Sequence, residues 1–360
     1  MRFFIFTICF IPLIAFTQVR QHTIEANYFY GSFLPHNKNI LHLITGMPEG
    51  VQLSYNKKTF GTQAWQTLYN YPDYGVSFQY QNNKNEILGN LYGLYAHMNF
   101  YFLKRNLQFR VAQGIAYSTY PFNKNTNYLN VAYGARVMPS TYFSLSYSKP
   151  NIFKNVGAQI GVNFVHHSNA NTKAPNTSTN TLALAVGLNY TFTNNQPVNY
   201  IEYDKPSFSK KIKYNLFFRT GFNESDVPNS GTKPFYVASF YAAKQVSPKS
   251  VFQLGADMFW MRYLKELIVY EATVFPELGL DPNKDYKRVG VFLGYEMLIA
   301  KLSLDIQAGA YVYNPSKKQG DIYQRIGLRY HISPKFSGGI SLKTHLAQAE
   351  ALEFSLGYQL

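Results

Sequence analysis

Apolar and polar residues alternate along most of the chain, in segments of about ten residues. The alternation is clearest in four segments that have one apolar face and one polar or small face: 107–117, 302–312, 322–332 and 352–360. A period of two predicts β-strands with one apolar face. Soluble strands average ~5–6 residues, whereas a strand that crosses a membrane needs ~9–11. The pattern therefore predicts a transmembrane antiparallel β-barrel.

The first part of the chain follows the same pattern less regularly. Candidate strands lie at 23–31, 50–55 and 75–80, and the stretch 57–72 does not fit the alternation. We expect about 16 strands, or about 12 to 14 if the early ones lie outside the wall, because single-chain barrels favour even numbers. The predicted fold class is therefore all-β, a transmembrane antiparallel β-barrel of about 12 to 16 strands.

The connections between the predicted strands alternate between short and long. Short connections lie at 103–106, 300–301 and 333–335, and long polar ones lie at 119–130, 223–234 and 264–285. Barrels of the outer membrane have short periplasmic turns and longer external loops. By this count the segment 169–179 is external. The segment 194–209 is an exception, since it is long but falls on the short-turn side.

The N-terminus has the features of a secretory signal peptide. Arg2 precedes the apolar run 3–16, and Ala15-Phe16-Thr17 at the end of this run forms the cleavage region before Gln18. Such a run is too short for a membrane helix, so we predict a signal peptide at 1–17 and a barrel at 18–360. The single cysteine, Cys9, lies in the peptide, which excludes disulfides from the mature chain. The predicted location is the outer membrane of a Gram-negative envelope.

Composition and charge indicate which classes of partner the protein binds. The chain has 31 Tyr and 29 Phe, which are typical of aromatic girdles at the membrane interfaces. Its net charge of +15 is scattered over strand ends and turns. We therefore predict an anionic glycolipid surface and no nucleic acid, the alternative being a basic rim without a specific ligand. No glycine-rich phosphate loop occurs, and His331 and His345 lack metal-ligand spacing, so no cofactor and no metal are predicted.

One stretch, 164–176, gathers an imidazole, a hydroxyl and several carboxamides. His166 and Ser168 are two residues apart, so an extended strand places them on one face, which is apolar further back. Asn180 shares the apolar parity of the next strand, 182–192. A hairpin of these strands brings all three side chains to the apolar face near the turn. This is the layout of a hydrolase triad with a carboxamide in place of the acid.

The barrel turns this face toward lipid, where a polar cluster is costly unless it has a function. Ser168 would attack a lipid ester, His166 would accept its proton and Asn180 would orient the imidazole. The Asn169 backbone N–H and the Asn176 carboxamide would form the oxyanion hole. The alternative is that these residues are ordinary turn formers. His167 points to the lumen and is predicted to be a solvated wall residue.

At these positions the sequence resembles the outer-membrane lipid A 3-O-deacylase family, also called the acyloxyacyl hydrolase family. The motif reads His166-His167-Ser168-Asn169-Ala170, then Pro175-Asn176, within a match that covers 131–192. The resemblance implies His166 as base, Ser168 as nucleophile, and Asn169 and Asn176 in the oxyanion hole. It also implies an 8-stranded barrel with the site on its lipid-facing wall, acting on lipid A or another outer-leaflet glycolipid.

Two features depart from the family. Asn180 stands where the family has an acid, and the chain is about twice the length that a small 8-stranded barrel needs.

Two other functions stay open. The chain could be a channel or transport barrel, in which polar residues line a pore, or a catalytically inactive structural barrel in which Asn180 marks a decayed site. The lumen-facing residues that would line a pore, or simply fill the interior, are Arg110, Lys301, Asp305, Arg325 and Arg329. The sequence also leaves open whether the protein is a monomer or a homodimer.

Overall fold

The structure, a computed structural model, describes residues 21–192, 199–204, 206–225, 227, 230–346 and 348–360. The predicted signal peptide at 1–17 lies outside these residues. Over the described part, the chain forms sixteen antiparallel β-strands and two α-helices, which confirms the all-β class and the upper end of the predicted strand number.

The first eight strands close into a barrel of their own. Each strand pairs with its neighbours in the chain, and β1 pairs with β8 from His22↔Phe192 to Phe33↔Thr181. The elements of this barrel are β1 His22–Phe33, β2 Glu49–Lys57, α1 Ala64–Leu68, β3 Asp73–Asn82, β4 Asn90–Phe102, β5 Leu107–Ser118, β6 Val137–Phe153, β7 Val156–His167 and β8 Thr179–Phe192.

The last eight strands form a second closed barrel, in which β9 pairs with both β10 and β16. Its helix, α2, follows β11 in what the sequence predicts as the long loop 264–285. The elements are β9 Ile212–Asn223, β10 Lys233–Ser247, β11 Ser250–Met261, α2 Arg262–Val274, β12 Arg288–Ile299, β13 Leu302–Tyr313, β14 Ile322–His331, β15 Phe336–His345 and β16 Gln348–Gln359.

Two barrels therefore replace the one large barrel expected over 18–360. The physical reason is that alternation indicates which face of a strand is apolar. It does not indicate which two strands pair to close a sheet into a barrel. The eight-stranded size implied by the family resemblance is found in both halves. The segment 194–209, which alternation left unexplained, belongs to the connection between β8 and β9.

The predicted apolar faces lie on the outside of both barrels. Leu184 and Leu188 on β8, and Leu293 on β12, are about three-fifths exposed or more. Apolar side chains on an outer wall and polar ones within are the arrangement of a membrane barrel. No helix among the described residues is long and apolar enough to cross a bilayer.

The interior of the first barrel is filled by a polar network. Arg110 lies 2.7 Å from Glu25, and its other guanidinium nitrogens donate to Asn99 and Ser54. An eight-stranded barrel is only wide enough for its own side chains, and the cavity beside Arg110 measures about 10 Å³. The side chains of this network therefore fill the interior around Arg110.

The second barrel is filled in the same way by charged pairs. Arg325 binds Asp257 at 3.0 Å and Glu353 at 2.6 Å, and Arg329 binds Glu296 at 3.0 Å and Asp305. Arg110, Arg325, Arg329 and Asp305 thus point inward as predicted, and they fill the interior. Lys301 differs because it lies in the exposed turn between β12 and β13.

The two barrels contact each other at both rims. We call the rim that carries residues 168–178 the motif rim, and the other end the opposite rim. At the opposite rim Tyr69, just after α1, donates to the Leu298 carbonyl at 2.8 Å, and Lys249 donates to the Leu68 carbonyl at 3.4 Å. Ile201, in the connection between β8 and β9, also lies at this rim, where its backbone N–H donates to the Phe60 carbonyl at 2.8 Å. At the motif rim the connection between β9 and β10 meets the segment 168–178.

Candidate functional site

The pairing of β7 with β8 brings His166 opposite Asn180. Their side chains meet, with His166 Nδ1 2.6 Å from Asn180 Oδ1. A carbonyl oxygen only accepts, so in this contact Nδ1 carries the proton and Nε2 keeps its lone pair. The contact thus holds the imidazole in the tautomer that a base acting through Nε2 needs.

Both side chains lie on the outer face of the barrel, at the motif rim. Val162, on the parity of His166, and Leu182, on the parity of Asn180, are each 42% exposed. His166 and Asn180 themselves are half-buried. The sequence placed this pair on the apolar face near the turn, and the structure has it there.

Ser168 lies just beyond the end of β7, in the loop 168–178, which we call the motif loop. It is buried at 5% exposure, and its backbone N–H donates to the Pro139 carbonyl at 3.3 Å. Among the described residues, Ser168 Oγ donates to Asn176 Oδ1 at 3.1 Å and accepts from the Ala170 N–H at 3.1 Å. Neither bond involves His166, so the serine hydroxyl and the imidazole are neighbours along the strand without a direct hydrogen bond.

Asn176 joins the two ends of the motif loop. Its Oδ1 accepts from Ser168 Oγ and also from the Asn169 backbone N–H at 2.9 Å. The Asn169 side chain is fully buried and donates to the Lys173 carbonyl at 2.5 Å. The two residues predicted for the oxyanion hole therefore lie together beside Ser168, and the Asn169 N–H is bound to the Asn176 side chain.

The β5–β6 connection supports the motif loop from within the first barrel. Thr177 and Ser178 donate their backbone N–H groups to the Val131 and Ala132 carbonyls at 3.0 and 3.2 Å. Gly134 approaches so closely that an added Cβ would lie 2.5 Å from both the Lys173 and the Pro175 carbonyl oxygens. The loop backbone is therefore packed against a second loop of the same rim.

Tyr133, in the same connection, bonds at its hydroxyl to Thr179 Oγ1 at 2.7 Å. Burial raises the pKa of the Tyr133 hydroxyl, so it stays protonated and the bond persists at neutral pH.

Two further residues at the site lie far from the motif in sequence. His36 Nε2, in the β1–β2 connection, lies 3.0 Å from the Thr177 carbonyl and 3.2 Å from Ser178 Oγ. Glu224, from the second barrel, accepts from the Ala174 N–H at 2.8 Å. The sequence analysis missed both residues. Strand counting places their connections on the motif rim, but only the packing decides which loops touch.

His167 points to the interior, as predicted, but it is not a solvated wall residue. It is 1% exposed, and its Nδ1 is buried with no hydrogen-bond partner in the part of the chain that the structure describes. The reason is that the interior of a small barrel is packed with side chains and holds little water.

Within the described ranges, no three His, Cys, Asp or Glu side chains are grouped so that they could hold a metal ion. The groups that meet around the motif itself are the Ser168 hydroxyl, the His166 imidazole and the amides of Asn169, Asn176 and Asn180.

Comparison with protein families matches both barrels. The family model "Lipid A 3-O-deacylase (PagL)" matches residues 49–189, which span β2 to β8 and include the motif loop. The model "Acyloxyacyl hydrolase, C-terminal domain" matches residues 212–360, which are the second barrel. Together the two matches cover most of the chain, and the gap between them, 190–211, holds the last residues of β8 and the connection between the barrels. A search of curated proteins finds no significant match.

Among solved structures, the similar chains include a variant of the Rh. blastica porin, the TodX monoaromatic hydrocarbon channel and the Acinetobacter baumannii outer membrane protein Omp33. They are 8%, 9% and 9% identical, with TM-scores of 0.19, 0.19 and 0.18. Each alignment covers 95% of this chain, and 100%, 90% and 97% of the other.

Proposed function

Because the chain belongs to the lipid A 3-O-deacylase (PagL) and acyloxyacyl hydrolase family, we propose that it hydrolyses an ester-linked acyl chain of lipid A in the outer membrane. Ser168 is the nucleophile and His166 is the general base. Asn180 orients the imidazole, and the Asn169 N–H and the Asn176 carboxamide bind the oxyanion. The family supports lipid A as the substrate and the outer membrane as the location. The roles of the individual residues are our proposal.

The observation that carries the proposal is the contact between His166 Nδ1 and Asn180 Oδ1. It directs the free Nε2 away from Asn180, and Ser168 follows His166 by two residues at the end of the strand. A base that is oriented by a third group next to a nucleophile is the arrangement that activates a serine. A purely structural strand end has no need for an oriented imidazole.

The reaction would begin when the Ser168 hydroxyl leaves Asn176 and turns toward His166. Ser168 Oγ attacks the acyl carbonyl carbon while Nε2 takes the hydroxyl proton, and a tetrahedral oxyanion forms. Collapse breaks the ester bond, and the imidazolium returns the proton to the leaving alkoxide. Water, activated by the same nitrogen, then cleaves the acyl-enzyme to release a fatty acid and regenerate Ser168.

The oxyanion hole also has to open. Asn176 Oδ1 holds both Ser168 Oγ and the Asn169 N–H in the resting loop. After the serine turns away, the Asn176 side chain also has to rotate, so that the Asn169 N–H leaves Oδ1 and the Asn176 amide group turns toward the oxyanion. A single donor of this kind is worth ~10²–10³ in rate.

The position of the site matches a substrate that stays in the membrane. His166 and Asn180 lie on the outer wall of the barrel, which carries exposed leucines. They lie near the motif rim and not at the middle of that wall. An acyl chain can follow the apolar wall while its ester reaches the motif loop. Polar groups on a lipid-facing surface cost free energy, and binding the ester group of a lipid gives them a function.

Mass spectrometry of lipid A tests the proposal. Cells that produce the wild-type chain are expected to yield lipid A lighter by one acyl chain, and cells that produce Ser168→Ala are expected to yield unmodified lipid A. Ser148→Ala, a serine of β6 inside the same barrel, is the control and should retain activity. Correct insertion of each variant is checked by the shift of the folded band on an unheated gel.

Unmodified lipid A from wild-type cells, with the barrel correctly inserted, would contradict the proposal. It would favour a catalytically inactive barrel, a reading in which Asn180 replaces the family's acid because no catalysis is needed. Activity that survives in Ser168→Ala would instead contradict the assigned nucleophile.

A further inference from the structure

The second barrel reaches the candidate site through one buried carboxylate. Glu224 follows the last residue of β9 and is 3% exposed. It lies at the motif rim, where the β9–β10 connection meets the motif loop of the first barrel. This is the point at which the two barrels meet next to Ser168.

Three hydrogen bonds from Glu224 cross between the barrels. Its carboxylate Oε2 accepts from the Ala174 N–H at 2.8 Å, its backbone N–H donates to the Asn171 carbonyl at 3.1 Å, and its carbonyl accepts from Asn171 Nδ2 at 3.2 Å. The other carboxylate oxygen, Oε1, accepts from the Gly231 N–H at 2.9 Å within the second barrel. One side chain thus joins both loops.

The carboxylate has no salt-bridge partner among the described residues. Its partners are backbone N–H groups, and charge-assisted bonds of this kind are stronger than neutral ones. Ala174 and Gly231 have no polar side chain, so their backbone N–H groups are the only donors through which they can bind the Glu224 carboxylate. A carboxylate is required here because it can accept from both N–H groups at once, whereas a carboxamide would turn a donor toward one of them.

The contact lies two residues from the group that holds the nucleophile. Ala174 precedes Pro175 and Asn176, and Asn176 Oδ1 binds both Ser168 Oγ and the Asn169 N–H. Asn171 adopts a left-handed backbone with φ 59, and its neighbour Ala170 has φ 55. Non-glycine residues in this region persist only when their surroundings hold them. Glu224 supplies part of those surroundings, since it bonds Asn171 at both its backbone and its side chain.

We propose that Glu224 is a positioning residue for the candidate hydrolase site, and that the second barrel is present to supply it. It holds the motif loop so that Asn176, Ser168 and the Asn169 N–H keep their mutual geometry. This inference rests on the proposed function, because its purpose is the alignment of Ser168. It makes the two barrels one catalytic unit, whereas the motif itself lies wholly in the first.

The test uses the full-length protein in vesicles that contain lipid A, and it compares wild type with Glu224→Gln and Glu224→Ala. Glu266→Gln is the matched control, because Glu266 lies on α2 at the same rim, is about half exposed and pairs with Lys233. We expect kcat to fall about tenfold in Glu224→Gln and ~10²-fold in Glu224→Ala, since a misplacement of ~1 Å can cost that much. KM should stay within about twofold of wild type, because the apolar wall that binds the acyl chain is unchanged.

Hydrogen exchange of residues 168–178 gives a readout that does not depend on activity. Both Glu224 variants should exchange faster there than wild type, with no change in the strands, and Glu266→Gln should behave as wild type. If wild type is inactive on lipid A but this local difference is found, the proposed function fails and the positioning of the loop by Glu224 stands. Unchanged exchange, or unchanged kcat in an active protein, would overturn the inference.

Discussion

His166 Nδ1 lies 2.6 Å from Asn180 Oδ1 across a β7–β8 pair that is in register. A carboxamide at this position can orient an imidazole, but it carries no charge to stabilise the imidazolium that forms during catalysis. The other end of the carboxamide is an NH₂ group, a donor that would favour the opposite tautomer if it turned toward the ring. In a serine-protease triad the change from acid to amide costs ~10⁴ in turnover.

Asn180→Asp should therefore raise the turnover on lipid A. Aspartate has nearly the shape of asparagine, so it can keep the contact with Nδ1, and it can only accept from the imidazole. We expect a gain of at least about tenfold, which is a fraction of the full triad effect. The measurement is the initial rate of fatty acid release from vesicles that contain lipid A. In the double variant His166→Gln/Asn180→Asp the gain should vanish, and a gain that persists there would show that the carboxylate acts independently of the imidazole.

Asn176→Asp separates two roles of this residue. An aspartate keeps the oxygen that accepts from Ser168 and the Asn169 N–H, but it removes the amide donor and adds a negative charge. If Asn176 serves the oxyanion, kcat should fall by ~10²–10³ while the loop stays folded. Single-turnover kinetics measure the effect, and hydrogen exchange of the motif loop reports its folding. Full activity in Asn176→Asp would limit Asn176 to holding the loop.

Gly134→Ala should lower activity through the loop backbone alone. The added Cβ would lie 2.5 Å from the Lys173 and Pro175 carbonyl oxygens, so the motif loop has to move. We expect kcat to fall about tenfold to hundredfold, with the barrel intact. Gly338→Ala is the control, because a Cβ there finds its nearest heavy atom at 3.7 Å. Equal activity of the two variants would mean that the loop position does not limit the rate.

Arg110→Ala should strongly destabilise the first barrel. Its loss leaves the Glu25 carboxylate, which is 4% exposed, without its cation inside the barrel. Breaking a buried pair in this way costs about 3–5 kcal/mol. Lys84→Ala removes the cation of the exposed pair with Glu49 and should cost ~1 kcal/mol or less. Urea unfolding in detergent measures the stability of both variants. Equal unfolding midpoints would contradict the stabilising role of the Arg110–Glu25 pair.

Neither barrel is expected to conduct ions. The Arg110 network fills one interior and the Arg325 and Arg329 pairs fill the other, with cavities of about 10 Å³ beside them. A larger cavity of about 470 Å³ opens at the opposite rim of the second barrel, but it ends against Arg329 and Glu296. Purified protein in planar bilayers should give no discrete conductance steps, with a porin as the positive control. Reproducible steps would revive the channel hypothesis.

Much of the fold was predictable because strand alternation is a local property. The segments 107–117, 302–312 and 322–332 are strands close to the predicted bounds, with their apolar faces outward. The early candidates at 23–31, 50–55 and 75–80 are strands as well. Closure was not predictable, since the pairing of β1 with β8 joins residues that lie far apart in the sequence.

In the candidate site, too, local features were predictable from the sequence and long-range contacts were not. The positions of His166 and Asn180 follow from parity and from one hairpin, both of which can be read from the chain. The bond from Ser168 to Asn176 depends on the course of an irregular loop, and alternation carries no information about it. The contact of Glu224 depends on how two closed sheets lie beside each other. Family resemblance found the motif, but it could not indicate what holds the motif in place.

The single connection from Phe192 to Ile212 has a consequence for how the rims stay together. Tethering turns the meeting of the two halves into an intramolecular event, which raises their effective concentration without any new contact. A few bonds at each end can then suffice where separate proteins would need an extensive dry interface. The two barrels can accordingly stay in contact at their rims and leave most of their apolar outer walls free for the surrounding lipid.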